Sequence, residues 1–166
     1  MKNKNESNTT IEINGITFTV NSDGTVPTSG TSGDTGDAPQ LEMPVSLPIG
    51  SYKFSGCADG GSASTWEMFL WDDTTSSKVV ADSAYDSSNA IEFDITAENI
   101  EHDITLNILV QNDIAIADEI VFKPMIRLAS DTDNTFVPYA MTNRELTENI
   151  KGYFSGNTLV LQYGVN

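Results

Sequence analysis

Ile120-Val121-Phe122-Lys123-Pro124-Met125-Ile126-Arg127-Leu128-Ala129 reads as one long strand, and this reading decides the fold. Side chains alternate faces along a strand, so Ile120, Phe122, Ile126 and Leu128 share one face. Val121, Lys123, Met125 and Arg127 share the other. Pro124 has no N–H to give to a ladder, so it marks an edge position or a bulge. After this strand come Phe136-Val137-Pro138-Tyr139 and then Thr142-Asn143-Arg144-Glu145-Leu146-Thr147-Glu148. Thr142-x-x-Glu145 is a capping box and predicts a helix start. Leu146, Ile150 and Tyr153 form its single apolar stripe, and Gly152 ends it. A short strand over 157–163 closes the chain.

Upstream of the strand, the same two-residue alternation recurs. Thr9 to Ile13 and Ile16 to Val20 flank Asn14-Gly15, a strong short hairpin signal. A weaker run covers Thr25 to Thr31. Leu41 to Leu47 carries Pro44 and suits an edge strand. Ser51 to Ser55, Thr65 to Trp71, Lys78 to Ala81, Ile91 to Thr96 and Asp103 to Gln111 follow. On Thr65 to Trp71, Trp66, Met68 and Leu70 face one way and Glu67, Phe69 and Trp71 the other. Large apolar groups on both faces indicate a central strand or one that lines a concave surface. Many short strands at roughly 8–12-residue spacing indicate a sandwich or barrel. Eight or more strands favour a jelly roll.

The bulk properties agree. The chain has 166 residues, 39% of them hydrophobic, with abundant Ser, Thr, Asn and Asp that suit turns and exposed strand faces. A net charge of −16, from 24 acidic and 8 basic residues, argues against binding a phosphate backbone or an anionic membrane surface. It leaves carboxylates available to a cation such as calcium, although a solvated acidic surface is the better account of them. The single cysteine, Cys57, rules out an intrachain disulfide and reads as a small buried residue. Met1 to Thr10 is polar, which predicts no signal peptide, and no stretch reads as a membrane span.

No catalytic motif stands out. His102 is the only histidine and lies in an acidic turn, Glu101-His102-Asp103. Acidic pairs such as Asp72-Asp73 exist but sit in no glycosidase pattern. Asp131-Thr132-Asp133-Asn134 has oxygen ligands at alternate positions but lacks the rest of a calcium loop, so it reads as a turn. Flat rings bordered by polar groups match the apolar face and polar rim of a sugar. Trp66, Trp71, Tyr52 and Tyr85 are the candidate plates. Trp66 and Trp71 point to opposite faces of one strand, so only one of them is a platform candidate.

Several runs carry a resemblance to a known family. They are Phe122-Lys123-Pro124-Met125-Ile126, Phe136-Val137-Pro138-Tyr139 and Thr142 to Thr147, together with Leu47-Pro48-Ile49-Gly50-Ser51-Tyr52-Lys53-Phe54-Ser55-Gly56, the loop from Gly60 to Trp66 and the hairpin from Ile16 to Thr25. Together these runs resemble a module of tail and baseplate-associated structural proteins of Firmicutes phages and prophages, over about residues 11 to 150. The resemblance implies an all-β jelly-roll β-sandwich similar to carbohydrate-binding modules, with a short C-terminal helix and a final short strand. Along the chain this gives a disordered N-terminus over 1–8, a jelly-roll sandwich over 9–140, and a helix and C-terminal strand over 141–166 that serve as a connection or oligomerisation segment. It implies a structural calcium held near Asp118 or Glu119, at the start of the last strand.

The expected function is non-enzymatic contact with bacterial cell-surface polysaccharide, from within a virion tail. Its partners would be other tail proteins and further copies of the chain in a homotrimer. The alternative is a purely structural tail module that spaces or trimerises parts and binds no sugar.

Overall fold

The computed structural model describes residues 8–34, 36–133 and 135–137, and two further short strands near the C-terminus. The strands are β1 (Thr9–Ile13), β2 (Ile16–Val20), β3 (Val26–Thr31), β4 (Gln40–Val45), β5 (Gly50–Ser55), β6 (Trp66–Asp72) and β7 (Ser77–Lys78). They continue with β8 (Ala90–Ile95), β9 (Ile104–Val110), β10 (Ala115–Phe122), β11 (Met125–Leu128), β12 (Phe154–Ser155) and β13 (Thr158–Leu159). The described residues are all-β. The expected helix and its Leu146/Ile150/Tyr153 stripe lie outside them, as does the boundary at 140/141. Part of the final strand expected over 157–163 appears as β13, which pairs with β12 as a small hairpin.

Local chemistry explains the first elements. Asn14 and Gly15 both take positive φ, at 44° and 82°, and Ile13 pairs with Ile16 across them. A two-residue loop of this kind matches the natural twist of a hairpin. The strands then assemble into sheets ordered β1-β2-β3-β10, β11-β5-β8 and β4-β9-β6-β7. β4 is an edge strand, as Pro44 required, and all its ladder partners are on β9. The strand expected over Lys78 to Ala81 is instead Ser77–Lys78, followed by an isolated bridge between Met68 and Ala84.

The run from Ile120 to Ala129 is not one strand. β10 pairs with β3 up to Phe122, and β11 pairs with β5 from Met125 onward. The break falls on Lys123-Pro124. The Lys123 amide donates to the Gly56 carbonyl at 2.7 Å, and the next residue has no amide to offer. The proline is therefore where the chain exchanges one neighbour for another. Gly56 makes this possible: its φ is +96°, and a Cβ there would lie 1.9 Å from the Lys123 carbonyl oxygen. β10 also carries a bulge, since it advances from Ile116 to Ile120 while β3 advances only from Gly30 to Thr28.

The inward faces of these sheets meet in one core, which makes the fold β-sandwich-like. Phe18, Val26 and Phe122 come from β2, β3 and β10; Phe54 comes from β5; Leu41, Met68, Leu70 and Ile108 come from β4, β6 and β9. All are fully buried. The alternation on β9 is as read: Ile104, Leu106, Ile108 and Val110 all enter the core. Cys57 is buried in the same cluster. Burial, with the Asp86 and Glu67 carboxylates adding, pushes its thiol up to about 12, so it is no nucleophile at neutral pH.

Candidate functional site

The face of β4-β9-β6-β7 that turns away from the core carries the most unusual chemistry. Pairing fixes its rows. Pro44, Thr105, Trp71 and Lys78 lie abreast. Glu42, Asn107 and Phe69 form the next row, and Gln40, Leu109 and Glu67 the third. An outward face ordinarily carries exposed polar groups, yet here Thr105, Asn107, Glu67 and Phe69 are buried. Trp71, Lys78, Gln40, Glu42, Pro44 and Leu109 are half-buried around them.

Buried polar groups need partners. The Asn107 Oδ1 accepts from the Gln40 Nε2 at 2.9 Å. Its Nδ2 donates to the Thr105 carbonyl at 3.2 Å and to the Thr105 Oγ1 at 3.0 Å. The Gln40 amide also donates to the Glu42 Oε1 at 3.0 Å. Lys78 Nζ donates to the Ser83 Oγ at 2.8 Å, lies 3.5 Å from the Glu67 Oε2 and sits 4.7 Å from the centre of the Phe69 ring. Phe69 and Trp71 meet edge to face, their centroids 6.4 Å apart. The face is thus a network of satisfied polar groups with one indole at its margin.

At the end of β6 the network continues. The Asp72 Oδ2 lies 2.7 Å from the His102 Nδ1, and its Oδ1 accepts the amides of Thr74 at 2.9 Å and Thr75 at 3.1 Å. The turn after β6 is thereby fastened to the turn before β9, next to Trp71. The place of His102 in the acidic turn Glu101-His102-Asp103 predicts a surface histidine; the fold instead half-buries it and gives it a carboxylate partner. Burial works to raise the Asp72 carboxyl, but the His102 imidazole and the Thr75 amide outweigh it and hold the group below the usual carboxylate value. Asp73 is pushed the other way, by burial and then by the Asp103 and Asp72 charges.

A carboxyl whose folded value is depressed adds stability above its ordinary pKa of about 4 and loses it as the pH falls through the folded value. Asp72→Asn should therefore destabilise the protein at pH 7 by about 1.5–3 kcal/mol, the range for a hydrogen bond to a charged group. The gap to wild type should begin to shrink as the pH falls below about 4, where the unfolded carboxyl takes up a proton that the native one still resists. Urea unfolding at pH 7, 5 and 3 checks this, and an equal gap at all three would contradict it.

The four aromatic candidates do not form one platform. Tyr52 is enclosed in the core, against Phe93 at 5.8 Å, and its hydroxyl donates to the Pro48 carbonyl at 3.0 Å. It presents no face to a ligand. Trp66 packs against the core, and its Nε1–H donates to the Ala58 carbonyl at 3.1 Å, with Gly60 beneath the indole. Tyr85 is half-buried nearby, its carbonyl pressed against Gly61. Only Trp71 lies on the outward face. The expected opposition of Trp66 and Trp71 is what the strand produces.

Asp118 and Glu119 are exposed, side by side in the β10 bulge. Among the described residues no group of three or more His, Cys, Asp or Glu side chains could hold a metal. Two exposed carboxylates alone do not fit the roughly six to eight oxygens that calcium takes. Asp131 and Asp133 form a turn, the Asp133 amide donating to the Asp131 Oδ1 at 3.0 Å and the Thr135 amide to the Asp133 Oδ1 at 2.8 Å.

Sequence reasoning missed Asn107, Thr105, Gln40 and Lys78. One signal was available: an asparagine in the middle of the apolar strand Ile104-Thr105-Leu106-Asn107-Ile108-Leu109-Val110 requires a partnered buried amide. No family model, curated protein or solved structure matches this chain.

Proposed function

We propose that this chain is a non-enzymatic recognition module, a jelly-roll sandwich of the phage-tail kind, that contacts bacterial surface glycan through the outward face of β4-β9-β6-β7. The placement of Trp71 carries the reading. A half-buried indole stands in a row with Thr105 and Lys78, beside the half-buried side chains of Gln40 and Glu42, with the buried Asn107 holding Gln40 from beneath. The indole suits the C–H face of a pyranose, and the Gln40 and Glu42 side chains suit its hydroxyls. Buried hydrogen bonds hold Asn107 and Gln40 in place before any ligand arrives, which lowers the ordering cost of binding.

Binding of host cell-wall polysaccharide to wild type, Trp71→Ala and Trp66→Ala tests the reading. Trp71→Ala should weaken binding by about tenfold or more, equivalent to about 1.4 kcal/mol, with the fold intact. Trp66→Ala should chiefly lower stability, because its indole is tied to Ala58 and the core. Unchanged affinity in Trp71→Ala would count against the site. A folded wild type that binds no wall glycan would leave the second reading, a structural module that spaces or trimerises tail parts.

A further inference from the structure

The charges on the outward face of β4-β9-β6-β7 restrict which glycan it can accept. Lys78 is the one lysine or arginine on these four strands. Its ammonium is already engaged by Ser83, Glu67 and the Phe69 ring, and its side chain is only 32% exposed. A cation held in this way and balanced by its own carboxylate offers little to an incoming anion. Glu42 is half-buried on the same face without a basic neighbour on these strands, and Asp72 and Asp73 close the end of β6 next to Trp71. The chain as a whole carries −16. Any polyanion approaching Trp71 therefore meets like charge both near the face and at long range.

The remaining groups suit an uncharged polyol. The half-buried Glu42 carboxylate and the Gln40 side-chain carbonyl are the groups left to accept hydrogen bonds from sugar hydroxyls. Resting on the glycan-binding reading above, we infer that the ligand is an uncharged polysaccharide. Uronate polymers and phosphate-bearing wall polymers are disfavoured by charge.

Titration calorimetry with the full chain tests this. The neutral probes are dextran, galactomannan and mixed-linkage β-glucan; the anionic probes are polygalacturonate and poly(glycerol phosphate). The expected result is binding to at least one neutral polymer, with affinity changing less than about twofold between about 20 mM and about 500 mM salt. The anionic polymers should bind at least about tenfold more weakly, a difference of about 1.4 kcal/mol. Anionic polymers binding as well as or better than the neutral ones would overturn the inference and leave the glycan-binding reading standing. Loss of affinity for the neutral polymer as salt rises would overturn it in the same way. Binding to neither class would overturn both.

Discussion

Gly56→Ala should lower the unfolding free energy by about 4 kcal/mol, through positive-φ strain and steric overpacking together. The melting temperature should then fall by about 10 °C for a chain of this size. The residue's φ is +96°, and its missing Cβ leaves room for the Lys123 carbonyl, which would otherwise lie 1.9 Å from it. That oxygen belongs to backbone in the partner exchange between β3 and β5, so it cannot swing aside as a side chain would. Gly36→Ala is the control. Its φ is +94°, almost the same, but nothing lies within 4 Å of the added carbon. It should cost only the strain of the backbone conformation, about 1 kcal/mol. Thermal unfolding of the two variants separates strain from steric exclusion. Equal losses would mean that the Lys123 contact contributes nothing.

Phe122→Ala should cost about 3–5 kcal/mol, the usual range for removing a buried aromatic ring. Phe122 is fully buried at the last position of β10, one residue before the chain exchanges partners. Its ring packs in the core shared by the facing sheets, so the cavity would open where several strands meet. Leu128→Ala lies six positions on, in β11, and should change stability by no more than about 0.5 kcal/mol because that side chain is 57% exposed. Denaturant unfolding with unchanged m-values checks both. A Phe122→Ala loss as small as that of Leu128→Ala would place Phe122 outside the cooperative core.

This contrast shows why the period-two pattern of Ile120 to Ala129 was only half informative. Ile120, Phe122, Ile126 and Leu128 alternate as one face should, but Phe122 is core and Leu128 is surface. Alternation reports which side of a strand a residue takes. It does not report where the neighbouring sheet ends, and the sheet covering Phe122 does not extend to Leu128. The same limit applies to the candidate site. The sequence separates Trp66 from Trp71, since five residues along a strand reverse the face. Which of the two meets the core depends on the partner layer, and that layer is built from β2, β3, β5 and β10.

Tyr52 shows a different limit. As a residue type it suits a sugar platform and a core equally. Its partners, Phe93 across the ladder and the Pro48 carbonyl, become neighbours only after β5 pairs with β8. Asp72 and His102 are thirty positions apart and share no motif, so their contact follows only from β6 pairing with β9.

By itself the sequence determined what local chemistry can decide: strands from alternation, the Asn14-Gly15 hairpin from its φ preference, the edge role of β4 from Pro44, and a buried, unreactive Cys57 from its small-residue setting. Tertiary structure alone decided the rest. It divided the run from Ile120 to Ala129 at Pro124, because a residue without an amide can end one ladder and Gly56 lets the next begin beside it. It also brought Gln40, Asn107, Thr105 and Trp71 onto one face, because register between strands far apart in the chain is set by the packing of their opposite faces in the core.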